Sequence, residues 1–115
     1  MELIWAIVAQ EDNGSYAGAL AVISSAMNRT ESVRWKSLGS TALAQLTAPG
    51  QYCYSNDSYW RRWLGGNVPG YVKQAVWDCL KKGIRNHKYT SFRSRKGSQT
   101  GASAIQIGGN WFFGS

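Results

Sequence analysis

The apolar positions in the first quarter of the chain fall into two segments with different patterns. Leu3-Ile4-Trp5-Ala6-Ile7-Val8-Ala9 is an unbroken run, and it predicts a helix from about Glu2 to Glu11. Asn13-Gly14 breaks it. Ser15 is placed to cap a second helix from Tyr16 to Arg29. Ala19, Val22, Ile23 and Ala26, with Met27 at the margin, recur at helical spacing there. The small residues Ala17, Gly18, Ala21, Ser24 and Ser25 leave room for another helix to approach closely.

A polar connection, Thr30–Gly39, follows, and Ser40 is positioned to cap a short helix through about Leu46. Pro49-Gly50 predicts a turn and Tyr52–Asn56 a loop. Asp57 or Ser58 then caps a short aromatic helix that Gly65-Gly66 stops. Pro69 and Gly83 bracket the most regular helix, with Val72, Ala75, Val76, Cys79 and Leu80 on its apolar face. Lys81 and Lys82 suit its C-terminal dipole. The pattern then changes. Tyr89–Phe92 predicts a strand, and Arg93–Gly101 a basic Gly/Ser-rich loop. Ala104–Ile107 and Trp111–Phe113 form a hairpin around Gly108-Gly109-Asn110. No repeat or linker interrupts the series. The expected class is α+β: one mainly helical domain over residues 1–115, with a small β element near its C-terminal end.

Size and charge narrow the picture. At 115 residues with 43% hydrophobic side chains the chain can bury a core of its own. Thirteen Lys and Arg against six Asp and Glu give +7, which favours a polyanionic partner such as nucleic acid, an envelope polymer or a membrane surface. The seven-residue run Leu3–Ala9 is too short for a membrane span, and Met1-Glu2 lacks the basic start of a secretory signal. Two cysteines, Cys53 and Cys79, are too few for a disulfide framework and either pair once or stay reduced. His87 stands alone, so no zinc site and no cofactor are expected. Six Trp, six Tyr and three Phe are many for this length. Trp5, Trp77 and Trp111 fall in apolar patterns and are assigned to the core. Trp60 and Trp63 flank Arg61-Arg62 near Tyr52, Tyr54 and Tyr59, a composition suited to sugar rings or nucleobases.

Among the six carboxylates, Glu11 is the one that a hydrophobic helix carries to the edge of a core. A carboxyl partly removed from water there holds its proton to higher pH, as a general acid near neutrality must. The alternative is an ordinary solvated residue at a helix end.

The segment Tyr16–Arg29 resembles the SleB-like cell-wall hydrolases, the group that includes spore-cortex-lytic enzymes and some phage lysins. Their pattern is a Glu, a short Gly-containing turn, an aromatic, Gly-x-x-Ala-Val and then Asn-Arg. Gly18, Ala21, Val22, Asn28 and Arg29 fall into these places. Pro49-Gly50-Gln51-Tyr52 is similar to the family's Gly-Gln-aromatic segment, and Ile107–Phe113 to its terminal Ile-Gly strand with following aromatics. The similarity runs from about Ile4 to Phe113. Two places depart from it. The turn Asp12–Ser15 is one residue short, and without that deletion Gln10 would face the family's Glu. Asn110 stands where the family often has His.

The resemblance implies a lysozyme-like domain that cleaves the glycan strands of bacterial peptidoglycan, as a lytic transglycosylase or a muramoyl- or glucosaminyl-hydrolase. Glu11 is its general acid. Gln51 and Tyr52 are the leading groove residues, an amide for an acetamido group and a ring for a sugar face. Tyr54, Phe92 and Trp111 are further substrate-binding candidates, with core packing as their alternative, and Trp60 and Trp63 are weaker ones. Asn28 and Arg29 are read as ties between the second helix and the body. An inverting hydrolase needs a second carboxylate at about 6.5–9.5 Å and a retaining one at about 5–5.5 Å. Asp57 is the candidate, and Asp12 is expected to point elsewhere. The substrate's own acetamido group or C6 hydroxyl can replace that carboxylate. The site of action would be the wall or spore cortex, outside the cytoplasmic membrane. The enzyme would act as a monomer, as a phage-released lysin or as a catalytic domain cut from a longer wall enzyme.

Other readings compete. Cys53 with His87 could form a thiol nucleophile, although Cys53 lacks a glycine-flanked context. His87 otherwise reads as a solvated histidine. Arg85, Lys88, Arg93, Arg95 and Lys96 form a basic cluster, which makes a non-enzymatic nucleic-acid- or envelope-binding module the alternative function. No nucleic-acid-binding motif accompanies them.

Overall fold

A computed structural model describes residues 1–97 and 100–115. The basic loop expected over 93–101 therefore includes two positions, Ser98 and Gln99, outside the described residues. The architecture is α+β. Among the described residues, five α-helices, α1 (Glu2–Glu11), α2 (Tyr16–Glu31), α3 (Ala42–Thr47), α4 (Cys53–Asn56) and α5 (Gly70–Lys82), precede three strands, β1 (Ser91–Arg93), β2 (Ile105–Ile107) and β3 (Asn110–Phe113). Two 3₁₀ turns, Lys36–Leu38 and Tyr59–Trp63, link the helices. None of the described helices is long and apolar enough to cross a membrane.

α1 is the central helix because its sequence gives it no polar side. Ile4, Ala6, Ile7, Val8 and Ala9 are all buried, and a helix apolar around its circumference must be enclosed. Burying a side chain such as Ile7 is worth about 1.5–3 kcal/mol. α2 and α5 flank it. Ser15 Oγ accepts the Gly18 N–H at 2.9 Å and starts α2. The small residues of α2 are buried, including Ser24 and Ser25, and α5 packs closely against this helix. α5 begins after Pro69 and ends at Gly83, whose φ of +72° is the left-handed conformation that glycine adopts without strain.

β3 lies between its two antiparallel neighbours, in the order β1-β3-β2. Phe92 faces Phe112 across β1 and β3, and Ile107 pairs with Asn110 across the tight turn at Gly108-Gly109. The turn is clamped to the start of α2. Asp12 Oδ2 accepts the Gly109 N–H at 3.0 Å and Oδ1 accepts the Gly14 N–H at 2.9 Å. A Cβ on Gly18 would lie 2.3 Å from Asp12 Oδ2, and one on Gly108 would lie 2.8 Å from the Gly18 Cα. The glycines of the first and last sequence motifs are thus two halves of one contact.

Several expectations are corrected. The cap of α3 is Thr41, whose hydroxyl accepts the Ala44 N–H, not Ser40. Cys53–Asn56 is a helical turn rather than a loop. Trp77 lies on the outer face of α5 and is 49% exposed, so it is no core residue, while Trp60 is buried. Trp5 packs against the core as expected while staying partly buried, and Trp111 is partly buried.

Candidate active-site cleft

The cleft forms where the C-terminal end of α1, the segment from Gly50 to Asp57, the end of α2 and the inner faces of β1 and β3 meet. It is open on one side, with a volume of ≈ 980 Å³. Glu11, Gln51, Cys53, Asp57, Phe92 and Asn110 all line it, although they come from four separate stretches of chain.

Glu11 reaches the cleft because α1 ends there. Asp12 leaves the helix in an extended conformation, so the last carboxyl of the helix projects past the apolar body. Its Oε2 accepts the Cys53 N–H at 2.9 Å. Burial raises its proton affinity above the ordinary value of 4.5. The Cys53 amide and thiol pull in the other direction, and Asp57 across the cleft adds to the rise. Asp57 Oδ1 accepts the Tyr59 N–H at 2.8 Å, and its side chain is otherwise exposed. Asp12, as expected, lies outside the cleft, with both oxygens committed to backbone amides.

Gln51 is fixed by Arg29. The guanidinium donates from Nη1 to Gln51 Oε1 at 2.9 Å and from Nε to the Thr90 carbonyl at 2.6 Å. With its oxygen taken, the Gln51 amide presents its NH₂ as a donor. Asn28 donates to the His87 and Tyr89 carbonyls, so both residues of the Asn-Arg pair tie α2 to the segment before β1. Arg29 also lines the cleft.

The remaining aromatic candidates divide. Phe92 lines the cleft and packs on Tyr52 and Phe112 with ring centres 5.8 and 5.1 Å apart. Tyr52 borders the cleft but is 2% exposed, its hydroxyl paired with Ser25 Oγ at 2.9 Å. It is a floor under Arg29 and Phe92, not an open face for a sugar. Tyr54 stacks on Trp60 at 4.9 Å, and Trp111 lies under Lys96 Nζ at 5.0 Å; neither lines the cleft. Trp63 donates to Gln10 Oε1 and braces the end of α1.

The thiol reading meets two obstacles. Cys53 Sγ donates to the Ile7 carbonyl at 3.6 Å, and burial pushes its proton affinity up, the reverse of what a nucleophile requires. His87 is not solvated. Its Nδ1 accepts the Tyr89 N–H at 2.9 Å, which makes Nε2 the donor to the Ala21 carbonyl at 2.7 Å, and burial lowers its proton affinity. Both ring nitrogens are occupied, so it has no free position for catalysis. Both cysteines are free and buried. Arg85 leaves the basic cluster, because it forks onto Glu31 at 2.7 and 2.8 Å.

Sequence reasoning missed Arg34, Trp35, Asn56, Arg93, Asn110 and Phe113 as cleft residues. For Trp35 a signal existed: Arg34-Trp35 is the same Arg–Trp adjacency that drew attention to residues 60–63. No protein-family model matches this chain, and neither a curated protein nor a solved structure matches it.

Proposed function

We propose that this protein is a peptidoglycan-cleaving glycosidase of the SleB-like type, built on a lysozyme-like arrangement, with Glu11 as its general acid. The observation that carries the reading is one carboxyl group. Glu11 sits at the end of a buried helix, lines a cleft large enough for several sugar rings, and keeps its proton more tightly than a solvated carboxyl. A second support is the placing of Gln51, whose NH₂ suits the carbonyl of an acetamido group, and of Phe92, whose ring borders the same space.

In the reaction, Glu11 donates its proton to the bridging oxygen as the C1–O bond breaks. The Cys53 N–H then holds the carboxylate that results, through the hydrogen bond it already makes to Oε2. The positive charge developing at C1 is met by the substrate's own acetamido oxygen or C6 hydroxyl. Asp57, which lines the same cleft, is the protein carboxylate that would assist. Glu11 takes a proton back in the second step, from water or from the C6 hydroxyl. The enzyme acts on the wall or cortex outside the cytoplasmic membrane, with glycan strands as its partner.

The test is Glu11→Gln on purified cell walls. The variant keeps an acceptor for Cys53 N–H, folds, and loses turbidity clearing; full retained activity rejects the reading. Mass spectrometry of the digest distinguishes a 1,6-anhydro product from a reducing one by the mass of one water. Release of peptide fragments instead overturns the glycosidase class.

A further inference from the structure

The charges in the cleft are sorted. Asp57 adds negative potential at Glu11, and Arg34 adds positive potential at Arg29. Among the described residues no ion pair joins the two sets, and Arg93, also in the lining, has no carboxylate partner either. Arg29 is the unusual member. It is 5% exposed, and its recorded hydrogen bonds go to a carbonyl and an amide, both neutral. A guanidinium taken this far from water is ordinarily matched by an anion. Its carbon lies 3.9 Å from the centre of the Trp35 ring, and that of Arg34 lies 5.0 Å from the same ring. The indole Nε1 is itself buried with no acceptor among the described residues. Donors outnumber acceptors, positive charge is uncompensated, and all three residues line the cleft.

We propose that the Arg29–Arg34–Trp35 corner, with Arg93, is a subsite for a carboxylate carried by the bound saccharide. The inference rests on the glycosidase reading and deepens it by naming a charge on the substrate. The planar fork of arginine matches a carboxylate in two-point contact. The opposite set of charges decides against a phosphodiester polymer. A strand with a charge at every unit would carry negative groups past Glu11 and Asp57, whereas a glycan with one acidic group per disaccharide can set that group at the arginines and a neutral bond at the acid. On peptidoglycan the carboxylate has two sources: the lactyl group of a strand stripped of its peptide, or a free carboxyl on the stem peptide.

Calorimetric titration of the Glu11→Gln variant, which does not consume the probe, separates them. Three forms of one muramic-acid-containing tetrasaccharide are compared: free lactyl carboxylate, neutral lactyl methylamide, and lactyl-linked stem peptide with its carboxyls free. At least one acidic form binds about tenfold or more tightly than the methylamide, the size expected for charge-assisted hydrogen bonds. Which acidic form gains identifies the source. Arg34→Gln, at the exposed rim, removes most of the preference, and added salt weakens it. Equal binding of all three forms, or a preference that survives Arg34→Gln and Arg93→Gln together, overturns the subsite and leaves wall clearing by Glu11 standing. Displacement of the tetrasaccharide by a single-stranded oligonucleotide in an Arg34-dependent manner overturns it in favour of a polyanion site. If no form binds and the unmodified protein clears no walls, the parent reading falls and takes the subsite with it.

Discussion

Glu11 and Asp12 are neighbours in the chain and chemically alike, yet they serve opposite sides of the α1 terminus. On the hairpin side, Asp12 spends one oxygen on Gly14 N–H and the other on Gly109 N–H, and two glycines crowd against it. On the cleft side, Glu11 receives one backbone N–H, from Cys53, is largely removed from water, and feels the Cys53 thiol and the charge of Asp57. A carboxyl whose oxygens are both filled by backbone donors is a fastener. One that is half satisfied and poorly hydrated is ready to exchange a proton. The count of donors supplied by the fold, not the residue type, separates the two roles.

The sharpest way to break this comparison is to remove each acid in turn. Glu11→Gln should reduce wall-clearing activity by at least ~100-fold, within the range general acid catalysis supplies, while circular dichroism and the melting profile stay native. Asp12→Asn should do the reverse. It turns one accepting oxygen into a donor facing an N–H, costing about 1–3 kcal/mol in denaturant unfolding, with activity per folded molecule changed only a few-fold. If the two variants exchange these outcomes, the assignment of roles is wrong.

The fastener can also be tested from its glycine side. Gly18→Ala places a methyl group against Asp12 Oδ2 and should destabilise the protein by about 1–3 kcal/mol. Combined with Asp12→Ala, which vacates that space, the cost should be less than the sum of the single changes; simple additivity in urea melts would show that the contact is not shared.

Two smaller effects concern pH. Glu11 binds its proton more tightly when folded than when unfolded, so the folded state loses stability as pH rises from 4.5 through its elevated value. Thermal melts should therefore find Glu11→Gln gaining on the parent protein at pH 7 and not at pH 4. His87 acts with the opposite slope. It is held neutral in the fold, so the unfolded chain gains a proton first and stability falls as pH drops below 6.5. His87→Gln should flatten that decline; an unchanged slope between pH 7 and 5 would mean that the imidazole is not held as described.

The long helices were legible because their signals are local. Ser15, Pro69 and Gly83 mark helix ends by what their own backbone or side chain can do, and the apolar spacing between them needs no partner to be read. Residues 40–56 were less legible. Ser40 and Thr41 are both good caps, and only the path of the chain chose Thr41. Tyr52–Asn56 forms a turn of helix whose first N–H is held by Glu11, 42 positions earlier. The tryptophans misled because aromatic patterning does not say which side of a helix faces inward. Trp77 shares α5 with a complete apolar stripe and lies off it.

By itself the sequence determined the class, the positions of α1, α2 and α5, the hairpin, and the arrival of one carboxyl at the end of an apolar helix. These follow from periodicity and capping over a few neighbouring residues. The tertiary structure decided which side Glu11 and Asp12 each face, which aromatics border the cleft, and that Arg29 stands there with no carboxylate partner among the described residues. Those properties depend on donors and walls brought from as far as 97 positions away, as Gly109 is to Asp12. Desolvation and hydrogen-bond satisfaction exist only once those distant groups are in contact.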